Sequence, residues 1–395
     1  MRFKITGWKA IMKILLVNRW RHLETVGGAE SVFFSMANEF SKSHCVSALA
    51  MTEDGDNPFF PLSPNVNFIH VTHCYQKQQS RVHKVARLLQ GTKLRRHRYD
   101  QKFEDPIWAN MMAPTIERVQ PEIIIAYSLE LARMILCYIK PDCPVIIMFH
   151  RSAETVLDCL TEESRWTLEN AACVQVLMPH DVKVVKAHVA CRKLIQIPNA
   201  VISSGFKSHL NNKVIAHVAR FSKNQKRQHI LIEAFHLLHA EFPDWHLELW
   251  GEGDLAKDSY VQYCWNLVKK YHLENQIHFC GFTHEVPRIL SNASIFAFPS
   301  AEEGMGITLV EALDVGLPAI GYRSCTAVSE IIQDGVNGYL CDDGIKPFAA
   351  ALRKLMADEN LRTQIGKNAK ESILAFSPQR VWNEWLILLN HLVKK

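Results

Sequence analysis

Short apolar runs alternate with amphipathic helical patterns along all 395 residues, and that alternation leaves few folds open. In the first half the runs KILLV, VSALAM, EIIIAYS, PVIIMF and CVQVLM read as strands. Several are separated by helical stretches such as AESVFFSMANEFS and ESRWTLENAA. In the second half KVIAHVAR, LELWG, IHFCG, IFAFPS and LPAIGY do the same, with helices such as QHILIEAFHLLHAEF, where Ile230, Leu231, Ala234, Phe235 and Leu238 share a face. Strand–helix–strand repetition builds parallel sheets covered on both faces. Two such series, in a chain too long for one ordinary core, predict an α/β protein of two doubly wound domains.

A cluster of Pro, Asn, Gly and Ser in IPNAVISSGFKSHLNN separates the series. It places a first domain at 1–207, a second at 208–376, and a terminal helix at 377–395 that follows a Ser-Pro start and packs back on the first domain. Hydrophobic content of 48% with 22% charged residues is that of a soluble globular protein, and a formal charge of +5 argues against nucleic acid as a partner. Eleven cysteines without a C-x-x-C pair fit reduced thiols in a cytosol, and no metal-ligand spacing occurs. The N-terminal apolar run reads as a first strand, Ile14 to Val17, rather than a signal peptide. No run reaches the roughly 18 residues that span a bilayer.

One segment departs from the pattern. Residues 81–102 carry Arg81, Lys84, Arg87, Lys93, Arg95, Arg96, Arg98 and Lys102 against Asp100 alone, with Val82, Val85, Leu88 and Leu89 interleaved. A solvated surface helix accounts for this, and so does contact with anionic lipid or a phosphorylated acceptor.

Residues 299–322, PSAEEGMGITLVEALDVGLPAIGY, place Glu302, Glu303, Gly304 and Gly306 between a strand and a helix. The free N–H groups of a first helical turn, with the positive dipole end, form an anion site. Gly304 and Gly306 keep side chains away so that a ligand can touch the backbone. Glu303 would repel a bare phosphate and suits hydroxyl groups beyond it; Glu311, a turn into the helix, suits a second pair such as those of a ribose. Phosphates flanked by polyols describe a sugar nucleotide. A simple capped helix, ended by Gly316 with Pro318 opening the next strand, explains the same residues locally. Arg220, Lys223, Lys226 and Arg227 follow a strand and precede a helix, where cations neutralise a diphosphate leaving group or stay solvated. Gly27 and Gly28 follow the first strand, with Glu30 beside the next helix start, and read as a tight turn with close ligand approach.

Together, VGGAE, ARFSKNQKRQHILIEAF, WGEGDL and EGMGITLVEALDVGLPAIGY resemble the retaining, GT-B-fold glycosyltransferases of family 4. The resemblance implies two Rossmann-like domains facing across a cleft. It gives Glu303 and the backbone of Gly304, Met305, Gly306 and Ile307 to the donor sugar and phosphates, and Glu311 to the ribose. Arg220 with Lys226 would take the diphosphate, and His150, which ends a strand, would stand near the donor sugar. Gly251 and Gly253 would leave room for the nucleotide. The family usually has Phe where Met305 stands and spaces its Arg and Lys one residue closer, which keeps Lys223 as an alternative to Lys226.

Asp54-Gly55-Asp56 has the D-x-D form of metal-dependent transferases of another fold, and reads here as an acidic turn. His180, His217 and His229 show no ligand spacing. The function so implied is transfer of a hexose or N-acetylhexosamine from a nucleoside-diphosphate sugar, UDP by family frequency, to a saccharide acceptor with retained configuration. The acceptor is expected to be lipid-linked, in O-antigen, capsule or related glycan synthesis at the inner membrane face, with no cofactor or metal. A UDP-sugar 2-epimerase and a non-catalytic partner subunit are the alternatives.

Overall fold

The computed structural model describes residues 11–20, 27–52, 58, 60–72 and 81–393; the Asp54-Gly55-Asp56 turn lies outside them. The chain forms two α/β units, one running to Pro198 and resuming at Trp382, the other Asn199–Val381.

The first unit holds a seven-stranded parallel sheet: β1 (Lys13–Arg19), β2 (Cys45–Thr52), β3 (Val66–Thr72), β4 (Ile123–Ala126), β5 (Val145–Met148), β6 (Cys173–Val176) and β7 (Leu194–Gln196). Their order is β3-β2-β1-β4-β5-β6-β7. The second holds six parallel strands: β8 (Val214–Val218), β9 (His246–Trp250), β10 (Ile277–Gly281), β11 (Ile295–Phe298), β12 (Ala319–Tyr322) and β13 (Gly338–Cys341), ordered β10-β9-β8-β11-β12-β13. Every residue of β4, β5, β6, β11 and β12 is buried. Strands covered by helices on both faces are mostly apolar, each fully buried Ile or Phe contributing about 1.5–3 kcal/mol; the buried Gln175 of β6 donates to the Val176 and Ile197 carbonyls.

The division falls upstream of residue 207 for a local reason. Ser203 Oγ donates to Asp314 at 2.7 Å, Ser204 N–H donates to the same carboxylate at 3.0 Å, and Ser208 N–H donates to the Val315 carbonyl at 2.8 Å. The polar linker of the sequence is thus stitched to the second unit. The terminal helix, Pro378–Val393, joins the first unit from Trp382 onward. There the Trp382 ring meets Phe40 edge-on at 6.0 Å, and Trp385 is 1% exposed.

A pair of glycines seats the helix Ile307–Asp314, on which the site depends. Gly316, at φ +84°, ends it, and a Cβ on Gly366 in the helix Glu359–Ser372 would run into the Gly316 carbonyl oxygen. Helical Gly→Ala ordinarily stabilises. Here Gly366→Ala is expected to destabilise by about 1–3 kcal/mol, the range for forced overpacking, read as a lower denaturant midpoint at unchanged m-value.

Candidate active site

In both sheets the strand order reverses beside the first strand, and open parallel sheets bind ligands at the carboxyl ends of the strands flanking such a point. In the second unit the flanking strands are β8 and β11, paired through Ile215 with Ile295 and Ala216 with Phe296. The loops leaving them carry Arg220 to Arg227 and Glu302 to Gly306, so the topology itself joins the two motifs read from sequence.

The first loop is held from within. His217, fully buried, faces the Ala297 carbonyl with Nδ1 at 2.8 Å and the Gln228 amide with Nε2 at 3.2 Å. A carbonyl only accepts, so Nδ1 carries the proton and Nε2 accepts. Burial pushes the His217 pKa down to about 4 and keeps the ring neutral. Gln228 also donates to the Arg220 carbonyl at 3.0 Å and accepts from Ser222 N–H at 3.2 Å. His217 is therefore structural.

The four cations separate. Lys226 pairs with Glu303, the two side chains 12% and 8% exposed, and its ammonium lies 5.2 Å from the Phe298 ring centroid. Arg220 is exposed and donates to Gln225 Oε1 at 2.8 Å. Arg227, at φ +55°, reaches Asp343 at 3.3 Å and the Tyr322 ring at 5.7 Å, while Lys223 lies exposed over Tyr263. The cation that meets the glutamate loop is Lys226 rather than Lys223.

The second loop ends at Gly306, whose φ of +79° favours glycine, and no side chain caps the helix Ile307–Asp314. Leu309 and Val310 donate to the Gly306 carbonyl, whereas the N–H groups of Ile307 and Thr308 have no acceptor inside the helix. An uncapped turn of this kind can receive an anion. Met305 is buried, with its sulfur accepting from Asn199 N–H at 3.3 Å, so its backbone alone is placed to serve a ligand. Gly304 and Ile307 are partly exposed. Glu311 is partly exposed as well; desolvation, then the nearby Asp314 carboxylate, raise its pKa to about 7.

Gly251 and Gly253 serve the protein itself. A Cβ on Gly251, at φ +155°, would collide with the Ala219 carbonyl, and one on Gly253 would lie 2.7 Å from Val261 and 2.9 Å from Phe221. Both let the chain leaving β9 pack against the Arg220 loop. Gly27 is similar, since a Cβ there would meet the Glu30 carboxylate; Gly28 opens the helix Gly28–Phe40.

In the first unit the chain leaving β4 and β5 forms a pocket of about 340 Å³ lined by Gln101, Tyr127, Ser128, His150, Arg151 and Ser164 among others. His150 stacks on Tyr127, with centroids 4.9 Å apart and planes at 15°, and both its ring nitrogens are buried without a protein partner. Burial lowers its pKa to about 4, so at neutral pH it offers one donor and one acceptor. Gln101 Oε1 is also buried and unpartnered. Arg133 is spent on Asp105, a buried two-bond pair at 2.6 and 3.0 Å. Burial raises the Asp105 pKa, with Arg133 opposing. His150 and Gln101 thus offer the pocket neutral hydrogen-bonding groups, beside the exposed Arg151. Among the described residues no three His, Cys, Asp or Glu side chains gather as metal ligands.

The carboxylate–lysine pair beside an uncapped helix start lies within one stretch of known kind. Residues 202–372 match the family described as Glycosyl transferases group 1. That match spans most of the second unit and includes Arg220, Lys226, Glu303 and Glu311. Along 97% of its length the chain is 24% identical to an exopolysaccharide phosphotransferase of Streptomyces coelicolor, of which it covers 41%. Over 41% of its length it is 31% identical to N-acetyl-alpha-D-glucosaminyl L-malate synthase of Bacillus anthracis, again covering 41%. The chain thus spans less than half the length of these two curated relatives. Among solved structures, Anabaena HepE, crystallised with UDP and glucose, superposes on 96% of this chain and 100% of its own with a TM-score of 0.73 at 18% identity. That likeness is one of fold, and the fold is GT-B.

Proposed function

We propose that this protein is a retaining glycosyltransferase that moves a hexose or N-acetylhexosamine from a UDP-sugar to a hydroxyl of a saccharide acceptor. The observation that carries the reading is the Lys226–Glu303 pair set beside the uncapped turn at Ile307 and the exposed Arg220, all at the sheet's switch point. The group 1 match and the fold shared with a UDP-bound structure support it.

In this reading Glu303 and the backbone of Gly304 to Ile307 hold the sugar and phosphates, and Glu311 accepts from ribose hydroxyls. The anomeric C–O bond to the diphosphate breaks while the acceptor oxygen bonds to the same face of that carbon. The acceptor proton passes to the departing phosphate oxygen. Charge developing on the diphosphate meets Arg220, Lys226 and the N–H groups of Ile307 and Thr308, preorganised where reorganisation costs least; no metal ion is invoked. The first unit's pocket, with neutral His150, offers hydrogen bonds to sugar hydroxyls.

The test is UDP release from a panel of UDP-sugars, with and without candidate saccharides. Acceptor-dependent release with an unchanged anomeric configuration supports the reading. Interconversion of UDP-sugars without an acceptor would mark an epimerase, and no turnover at all a binding subunit.

The acceptor is proposed to be lipid-linked, for a cell-envelope polysaccharide such as O-antigen, capsule or a related glycan, met at the cytoplasmic face of the membrane. Residues 81–102 bear eight Lys and Arg against one Asp, a net +7 where the whole chain carries +5. Val85, Leu88 and Leu89, at helical spacing along Arg81–Leu88 and just past it, are 55%, 62% and 80% exposed. Arg87 bonds Asp100 at 2.8 Å, tying that helix to the next, Lys93–Val119. Among the described residues no helix is long and apolar enough to cross a membrane, so the contact would be peripheral. With about 1 kcal/mol per basic residue at an anionic surface, replacing Arg95, Arg96 and Arg98 by serine should weaken partition onto anionic vesicles about 100-fold. Equal flotation of both proteins would remove the membrane contact and leave the transferase reading intact.

A further inference from the structure

We infer that Gln225 is a positioning residue for Arg220, an inference that rests on the site being one for a nucleoside diphosphate. Its carboxamide bridges the two loops of the switch point. Oε1 accepts from Arg220 Nη2 at 2.8 Å, Nε2 donates to the Glu302 carbonyl at 3.2 Å, and its own carbonyl accepts from Ala301 N–H at 2.8 Å. One side chain therefore ties the guanidinium to the backbone immediately before Glu303.

The chemistry of the brace matters as much as its place. Arg220 is exposed, and a free arginine there would sample many rotamers and lose that side-chain entropy on clamping a ligand. Among the described residues no carboxylate pairs with it. A neutral amide restrains the guanidinium without cancelling its charge and uses one of its five donors, leaving the others for an anion. A carboxylate in the same position would hold Arg220 more tightly but neutralise it, repel a diphosphate, and face the Glu302 carbonyl with no proton to donate. The amide is the only one of the two isosteres that satisfies both loops.

The test is a double-mutant cycle on the full chain, with UDP as the probe in calorimetry and a UDP-sugar in steady-state assays. Gln225→Ala should weaken UDP binding about tenfold, the scale of a hydrogen bond to a charged group, and have no further effect in an Arg220→Ala background. Gln225→Glu should bind UDP more weakly than Gln225→Ala, raise KM more than it lowers kcat, and do so most at low salt. A merely structural brace would weaken binding equally in both backgrounds, or lower thermal stability and leave UDP affinity alone; either result overturns the proposal. If the native chain binds UDP and the cycle shows no coupling, only the role of Gln225 fails. If the native chain binds no nucleoside diphosphate, the site reading fails with it.

Discussion

Glu303→Ala is expected to lower kcat by about 10²–10³, and Arg220→Ala by a similar factor, the usual loss when one preorganised electrostatic contact to a transition state is removed. The two should differ in how the loss arises. Arg220 is exposed and is assigned to the diphosphate, so its truncation should weaken donor binding as well as turnover. Glu303 is 8% exposed and spends its charge on Lys226. Its truncation therefore also strands a cation, and Glu303→Gln is the cleaner probe, keeping size and one acceptor while losing the charge. Initial rates at saturating UDP-sugar, with folding checked by denaturation, separate the terms. Turnover like that of the native protein in both Glu303→Gln and Arg220→Ala would count against the assigned roles.

Lys226→Met is expected to destabilise by about 3–5 kcal/mol, because removing one member of a buried pair leaves the other charge desolvated and uncompensated. Urea midpoints of the native chain and the variant read the loss directly. A deficit below about 1 kcal/mol, the scale of an exposed ion pair, would mean that the pair adds little to the lysine's packing over Phe298.

The fold was legible where burial is symmetric. The central strands of each sheet spell mostly apolar runs, and the sequence announced all of them, together with the edge strand β10. The three it did not announce, β3, β7 and β13, are the other edges and keep partly exposed residues, as in VNFIHVT and LIQ. Half-covered edges carry mixed patterns, so periodicity is a weaker signal there.

The site divided along similar lines. Glu303, Glu311, Gly306 and the basic loop were visible because a carboxylate followed by two glycines at a helix start is chemically odd. Gln225 was not, since a glutamine in a charged loop has no signature until a second loop is folded against it. The glycines of WGEGDL show a further limit. A Cβ on Gly251 or Gly253 would meet the backbone of Ala219 or the side chains of Val261 and Phe221, a packing need that sequence alone does not display. The same holds for Lys223 and Lys226, three residues apart in sequence, one over Tyr263 and the other on Glu303.

Titration of the full chain with UDP and a set of UDP-sugars, read by calorimetry and by melting temperature, bears most directly on the switch-point site. One nucleotide per chain, a rise in melting temperature with ligand concentration, and affinity reduced at least tenfold in Arg220→Ala are the results expected. Failure of every nucleoside diphosphate and nucleotide sugar to bind, or equal binding by the native chain and Arg220→Ala, would contradict it.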